Sequence, residues 1–172
     1  MKFMVGLVLN ITYYKRNKLN YNNFKNNMST NIEKIIYKNK ILAIIIKNDF
    51  KQEGIAFFTD NNFSQQLGYM NRPEGYIIAP HRHNLVPRKV VLTQETLFIK
   101  SGKIRVDFYD DKQNYLESRI VVKGDIVLLA TGGHGFKMIE RSEIVEVKQG
   151  PYVGEMDKVR FDQIGESKLN IK

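Results

Sequence analysis

Apolar residues recur at every second position through most of this chain. From Lys103 to Tyr109, Ile104, Val106 and Phe108 fall on one face and Lys103, Arg105 and Asp107 on the other. That period of two belongs to a β-strand, whose side chains alternate between faces. Similar runs are Ile35–Tyr37 and Ile41–Ile46, split by Lys38-Asn-Lys40, then Gly54–Thr59, Gln66–Asn71 and Tyr76–His83. Lys89–Lys100 pairs with 103–109 as a predicted hairpin around Ser101-Gly102, and Leu116–Val122, Ile126–Leu129, Phe136–Ile139 and Ile144–Lys148 follow. Asp60–Ser64, Arg72–Gly75 and Asp110–Asn114 carry turn chemistry, because Asp and Asn fold back on their own backbone and Pro and Gly fix special angles. No long amphipathic helix and no internal repeat interrupts the series. Short strands with regular turns predict an all-β sandwich or barrel of jelly-roll type, with few or no helices.

One strand stands apart. Ile41-Leu-Ala-Ile-Ile-Ile46 has six apolar residues in a row, so both of its faces are apolar. One face can cover the core, and the other needs a second cover. A two-fold homodimer in which this strand meets its mate would supply it, so a dimer is expected.

Composition narrows the classes. At 172 residues the chain suits one domain, and with no cysteine it has neither disulfides nor thiolate metal ligands. A cytoplasmic location is the simplest expectation. The net charge of +9 points towards nucleic acid, but its distribution points away. Residues 1–27 hold five Lys/Arg and no acid, whereas residues 55–172 hold 17 basic and 15 acidic residues. No basic stripe with interleaved aromatics crosses the body, so nucleic acid is not an expected partner. Residues 1–27 are asparagine-rich and without a period, which predicts a disordered or non-native extension ahead of a single domain over 28–172. Their short apolar run is too brief to span a bilayer and lacks a cleavage signature, so no membrane association is expected.

Chemistry concentrates on the histidines. His81 and His83 stand at i and i+2 in Gly75-Tyr-Ile-Ile-Ala-Pro-His-Arg-His83, sharing parity with Ile77 and Ala79, so an extended segment would turn both rings inward. Glu95 shares parity with Leu97 and Ile99, and His134 with Phe136 and Met138. A carboxylate on an inner face is costly unless paired or bound to a cation. Three imidazoles and a carboxylate on inner faces could converge on one divalent metal. The plainer readings are satisfied core histidines and a Glu95 paired with Arg88 or Lys89. Gly132-Gly133 could make an anion nest or merely a tight turn. Lys148 with Tyr152, and Lys158 with Arg160, could face a polar or anionic substrate or simply be solvated.

The spacing resembles the first motif of the cupin superfamily, which runs Gly, five residues, His-x-His, a short gap, Glu, six residues, Gly. Gly75, His81, His83, Glu95 and Gly102 fit it, except that eleven residues separate His83 from Glu95 where three or four are usual. The second motif is looser: His134 falls ten positions after Gly124 instead of eleven, and Ala130 stands in place of a Pro. The resemblance covers roughly residues 54–164. It implies a cupin-type double-stranded β-helix with one divalent metal (Fe, Mn, Zn or Ni) on His81, His83, Glu95 and His134. It also implies a small polar or carbohydrate-type substrate handled by an isomerase or epimerase. A non-catalytic small-ligand binder and an iron-dependent dioxygenase are the alternatives, and no general acid or base is identified beside the metal.

Overall fold

The computed structural model describes residues 31–172, so the expectation for residues 1–27 lies outside the described residues. Ten antiparallel strands make up the described chain: β1 (Ile32–Tyr37), β2 (Lys40–Ile46), β3 (Gly54–Phe57), β4 (Gly68–Asn71), β5 (Glu95–Ser101), β6 (Lys103–Tyr109), β7 (Tyr115–Val122), β8 (Ile126–Leu129), β9 (Gly133–Met138) and β10 (Glu143–Lys148). The helices among the described residues are two short 3-10 turns, Gly154–Asp157 and Glu166–Lys168. None is long and apolar enough to cross a membrane. The strands form a five-stranded sheet ordered β1-β2-β8-β5-β10, a three-stranded sheet ordered β7-β6-β9, and the pair β3-β4. All-β is therefore correct, but the sheets stay separate and do not close into a barrel.

Local chemistry explains the turns. Lys38 and Asn39 both take positive φ (47° and 62°), the requirement of the two-residue hairpin that matches strand twist. Asp110 accepts from the backbone N–H of Lys112 and of Asn114, closing the next turn as its sequence suggests.

The five-stranded sheet is covered on both faces. Ala43 and Ile45 of β2, Leu97 and Ile99 of β5, and Val127 and Leu129 of β8 pack against Ile104, Val106 and Phe108 of β6 and Val121 of β7. A bulge opposite Ile35 and Ile36 brings Leu42 into the same cluster. On the other face, Ile44, Ile46 and Leu128 pack with Phe50, Ala56 of β3, Phe58 and Leu67. Both apolar faces of Ile41–Ile46 thus find cover within the chain. The strand leaves no bare face for a mate, and the premise of the expected dimer is corrected: the small β3-β4 unit and its flanking aromatics do that job.

Further expectations change. Tyr76–His83 and the stretch from Lys89 to Gln94 form no strand, and strand pairing begins at Glu95. The hairpin expected around Ser101-Gly102 does not form, because β5 pairs with β8 and β10 while β6 crosses to the other sheet and pairs with β7 and β9. Nearly all of residues 70–92 are exposed, with Ile77 at 83% and Leu85 fully so. Pro80 and Pro87 each remove a ladder donor, which disfavours regular pairing there. The polar face of β6 is buried as well. Arg105 grips Asp107 with two parallel hydrogen bonds of 2.8 and 3.0 Å and reaches Glu166 at 3.0 Å, while Ser118 donates to Asp107 at 2.5 Å. The C-terminal segment covers this network, with Ser118 N–H bonded to Asn170 O and Lys172 N–H to Ser118 O.

Candidate functional site

Glu95 and His134 meet between the two larger sheets. Glu95 opens β5 opposite Leu129 of β8 and Lys148 of β10. His134 lies opposite Phe108 of β6. Cross-strand partners in antiparallel pairs project to the same side. Leu129 and Phe108 both belong to the cluster between the sheets, so the ladder turns Glu95 and His134 towards each other. Their side chains come within 3.2 Å, Nε2 of His134 to Oε2 of Glu95. The inward parity inferred for both residues therefore holds.

A glycine makes this placement possible. Gly132 has φ of +71°, and a Cβ there would lie 2.5 Å from the carbonyl oxygen of Tyr109. Only glycine admits that approach, which starts β9 directly against the end of β6. Gly132-Gly133 is thus explained by a tight turn.

Charge around the pair is balanced. The ammonium of Lys148 lies 3.9 Å from Glu95 and 3.4 Å from Asp157, and sits 5.1 Å from the centre of the Tyr152 ring. The hydrogen bond from His134 holds the Glu95 carboxyl below its ordinary value; burial works against this, and the charges of His134, Lys148 and Lys158 add to the lowering. For Lys148, burial works against the charged form, but the Asp157 hydrogen bond and the carboxylates of Glu146, Glu95 and Asp157 leave it raised. Glu95 is then an ionised acceptor, so the shared proton belongs to His134 Nε2. His134 keeps 29% of its side chain exposed against 14% for Glu95, so the imidazole is the more open member.

The pair borders a cavity of about 750 Å³. Tyr109, Phe136 and Phe161 give it aromatic walls, Asp107, Asp157 and Lys158 give it polar ones, and Val91 to Thr93 form part of its rim. Phe161 packs edge-on against Tyr109 at 5.0 Å.

His81 and His83 are placed differently. Their rings lie 5.3 Å apart, so they do share a side as the i, i+2 spacing requires, but both are exposed on the irregular segment. His81 Nδ1 bonds the carbonyl of Ala79 at 3.0 Å. The four expected ligands are therefore two pairs, and among the described residues no group of three or more His, Asp or Glu side chains is gathered to hold a metal. As placed, they do not fit a single metal centre. Glu95 takes His134 and Lys148 as partners, not Arg88, whose guanidinium bonds the carbonyl of Val86. Arg160, which also lines the cavity, is bound to exposed Glu155 at 2.5 Å. Sequence reasoning picks out Lys148 but weighs it as solvated. Its position opposite Glu95 depends on the β5–β10 register, which no local pattern announces.

No family model, no curated protein and no solved structure matches the chain.

Proposed function

We propose that this chain binds a small, hydroxyl-rich ligand of carbohydrate type in the cavity beside Glu95 and His134, and that His134 moves a proton on it in an isomerase- or epimerase-like reaction. The approach to 3.2 Å between an ionised carboxylate and a more open imidazole carries this reading. A carboxylate behind a histidine orients the ring and stabilises its charged form. With Nε2–H given to Glu95, Nδ1 is the basic nitrogen. It takes a proton from a hydroxyl-bearing carbon next to a carbonyl, and the C–H electrons form the enediolate. In an isomerase the hydroxyl proton passes to the former carbonyl oxygen and the abstracted proton goes to the former carbonyl carbon. In an epimerase a proton returns to the same carbon on its other face. Lys158 lines the same cavity and supplies positive charge for the enediolate oxygen. Aromatic walls suit the apolar faces of a sugar ring, and the volume lies within the ordinary range for small ligands.

Solvent deuterium provides the test. Sugars and nucleotide sugars incubated with the protein in D2O should gain deuterium beside the carbonyl, and His134→Ala should slow the gain by about 100-fold or more. A ligand that protects the protein against heating but never exchanges would support a binding module instead. Exchange unaffected by His134→Ala would overturn the assignment.

A second reading has its own support: His81 and His83 lie on the segment whose later residues, Val91 to Thr93, rim the cavity. In a cupin-like arrangement that segment would bring both imidazoles to Glu95 and His134 around one divalent ion. Elemental analysis is the check. About one metal per chain, lost in the His81→Ala/His83→Ala double variant, would favour this reading over the metal-free pair.

A further inference from the structure

Gln94 is buried immediately before Glu95, and its side-chain oxygen, its carbonyl and its N–H are all hydrogen-bonded. Its side-chain oxygen accepts from the hydroxyl of Ser64 and from the backbone N–H of Gln65, each at 2.9 Å. Its carbonyl accepts from the side-chain amide of Gln65 at 3.0 Å. Its own N–H donates to the side-chain oxygen of Gln149 at 2.6 Å. Gln149 in turn donates to Ser64 at 3.0 Å, and Thr96 donates to Gln65 at 2.8 Å.

These bonds straddle the site. Gln94 and Thr96 flank Glu95, and Gln149 follows Lys148. Ser64 and Gln65 come from the loop between β3 and β4, on the other side of the five-stranded sheet from His134. The network therefore joins the residue just before β5 to the residue just after β10, at the point where irregular chain enters the ladder. Without it, Glu95 would sit at a fraying strand end, since residues 72–93 have no strand partner.

We propose that Ser64, Gln65, Gln94 and Gln149 form a clamp whose task is to hold Glu95 and Lys148 in register at the cavity, making Gln94 and Gln149 positioning residues for the Glu95–His134 pair. This role rests on the reading of that pair as the centre of the site. A purely structural clamp would stabilise the fold, but a substitution in it would leave the pair as it is. A positioning clamp transmits its loss to the imidazole. Connected side-chain hydrogen-bond networks fix the geometry of their neighbours in this way.

The test reads the protonated ring nitrogen of His134 by long-range proton–nitrogen NMR on the intact chain, which has only three histidines to assign. Wild-type protein should show the proton on Nε2, and Glu95→Ala, which removes the acceptor, should change that pattern. Gln149→Ala and Gln94→Ala should shift His134 towards the Glu95→Ala pattern. Val121→Ala, in the core at the opposite end of β6 from the His134 partner Phe108, supplies thermal destabilisation without touching the clamp, and should leave His134 as in wild type. Gln149→Glu keeps the acceptor for the Gln94 N–H and should restore part of the wild-type pattern. If the clamp variants melt earlier yet leave His134 unchanged while Glu95→Ala alters it, the clamp is structural only and the proposal falls. If Glu95→Ala itself changes nothing, the pair is not formed, and the site reading falls together with the clamp.

Discussion

Glu95 with His134, and His81 with His83, are two halves of one expected quartet that meet very different fates. Each half is a close pair, at 3.2 Å between side-chain atoms in the first and 5.3 Å between rings in the second. The first pair stands on strands whose register is set by ladders to β8 and β6, so its direction is inherited from the cores of two sheets. The second stands on a segment with no ladder, where alternation keeps neighbours i and i+2 together but aims them nowhere in particular. Parity tells which residues share a face. Only pairing tells which way that face looks.

The contrast can be broken at several strengths. Phe108→Ala removes the largest fully buried side chain opposite His134 and should cost about 3–5 kcal/mol in denaturant unfolding, freeing His134 to move away from Glu95. Gly132→Ala forces a Cβ towards the Tyr109 carbonyl at positive φ and should cost about 2–3 kcal/mol, displacing β9 before any core atom is removed. Glu95→Gln should cost about 1 kcal/mol near neutral pH, because the charge-assisted bond to His134 is weakened within a site that stays hydrogen-bonded. That cost should depend on pH. The folded pKa of Glu95 lies below its ordinary 4.5, so the stabilisation is complete above that value and lost as pH falls through the folded pKa. Wild type and variant should therefore converge in acid, which melting curves across roughly pH 2–7 can follow. The smallest effect belongs to the other half: His81→Ala/His83→Ala should stay within about 0.5 kcal/mol of wild type in metal-free buffer, since both rings are exposed.

The same difference explains what the sequence can say. The alternation of Ile104, Val106 and Phe108 locates β6 well, and Lys38-Asn39 marks the hairpin between β1 and β2 because a tight turn demands specific backbone angles. The inward faces of Glu95 and His134 are legible from Leu97, Ile99 and Phe136. Tyr76–His83 looks equally strand-like, yet Pro80, Pro87 and eleven residues of chain before Glu95 leave it without a partner. Ile41–Ile46 announces two apolar faces correctly, but cover by Phe50, Phe58 and Leu67 is a tertiary fact. The burial of Arg105 and Asp107 is hidden for a similar reason, since Glu166 arrives from a distant part of the chain.

Cysteine pairing tests the central claim most directly, because the chain has no cysteine of its own. A short bis-maleimide added to a Glu95→Cys/His134→Cys variant should close an intramolecular bridge quickly, and one added to a His81→Cys/His134→Cys variant should close slowly. Intact-mass spectrometry over time gives both rates. Equal or faster closure in the second variant would mean that His81 lies at the His134 site, and would contradict the separation of the two pairs.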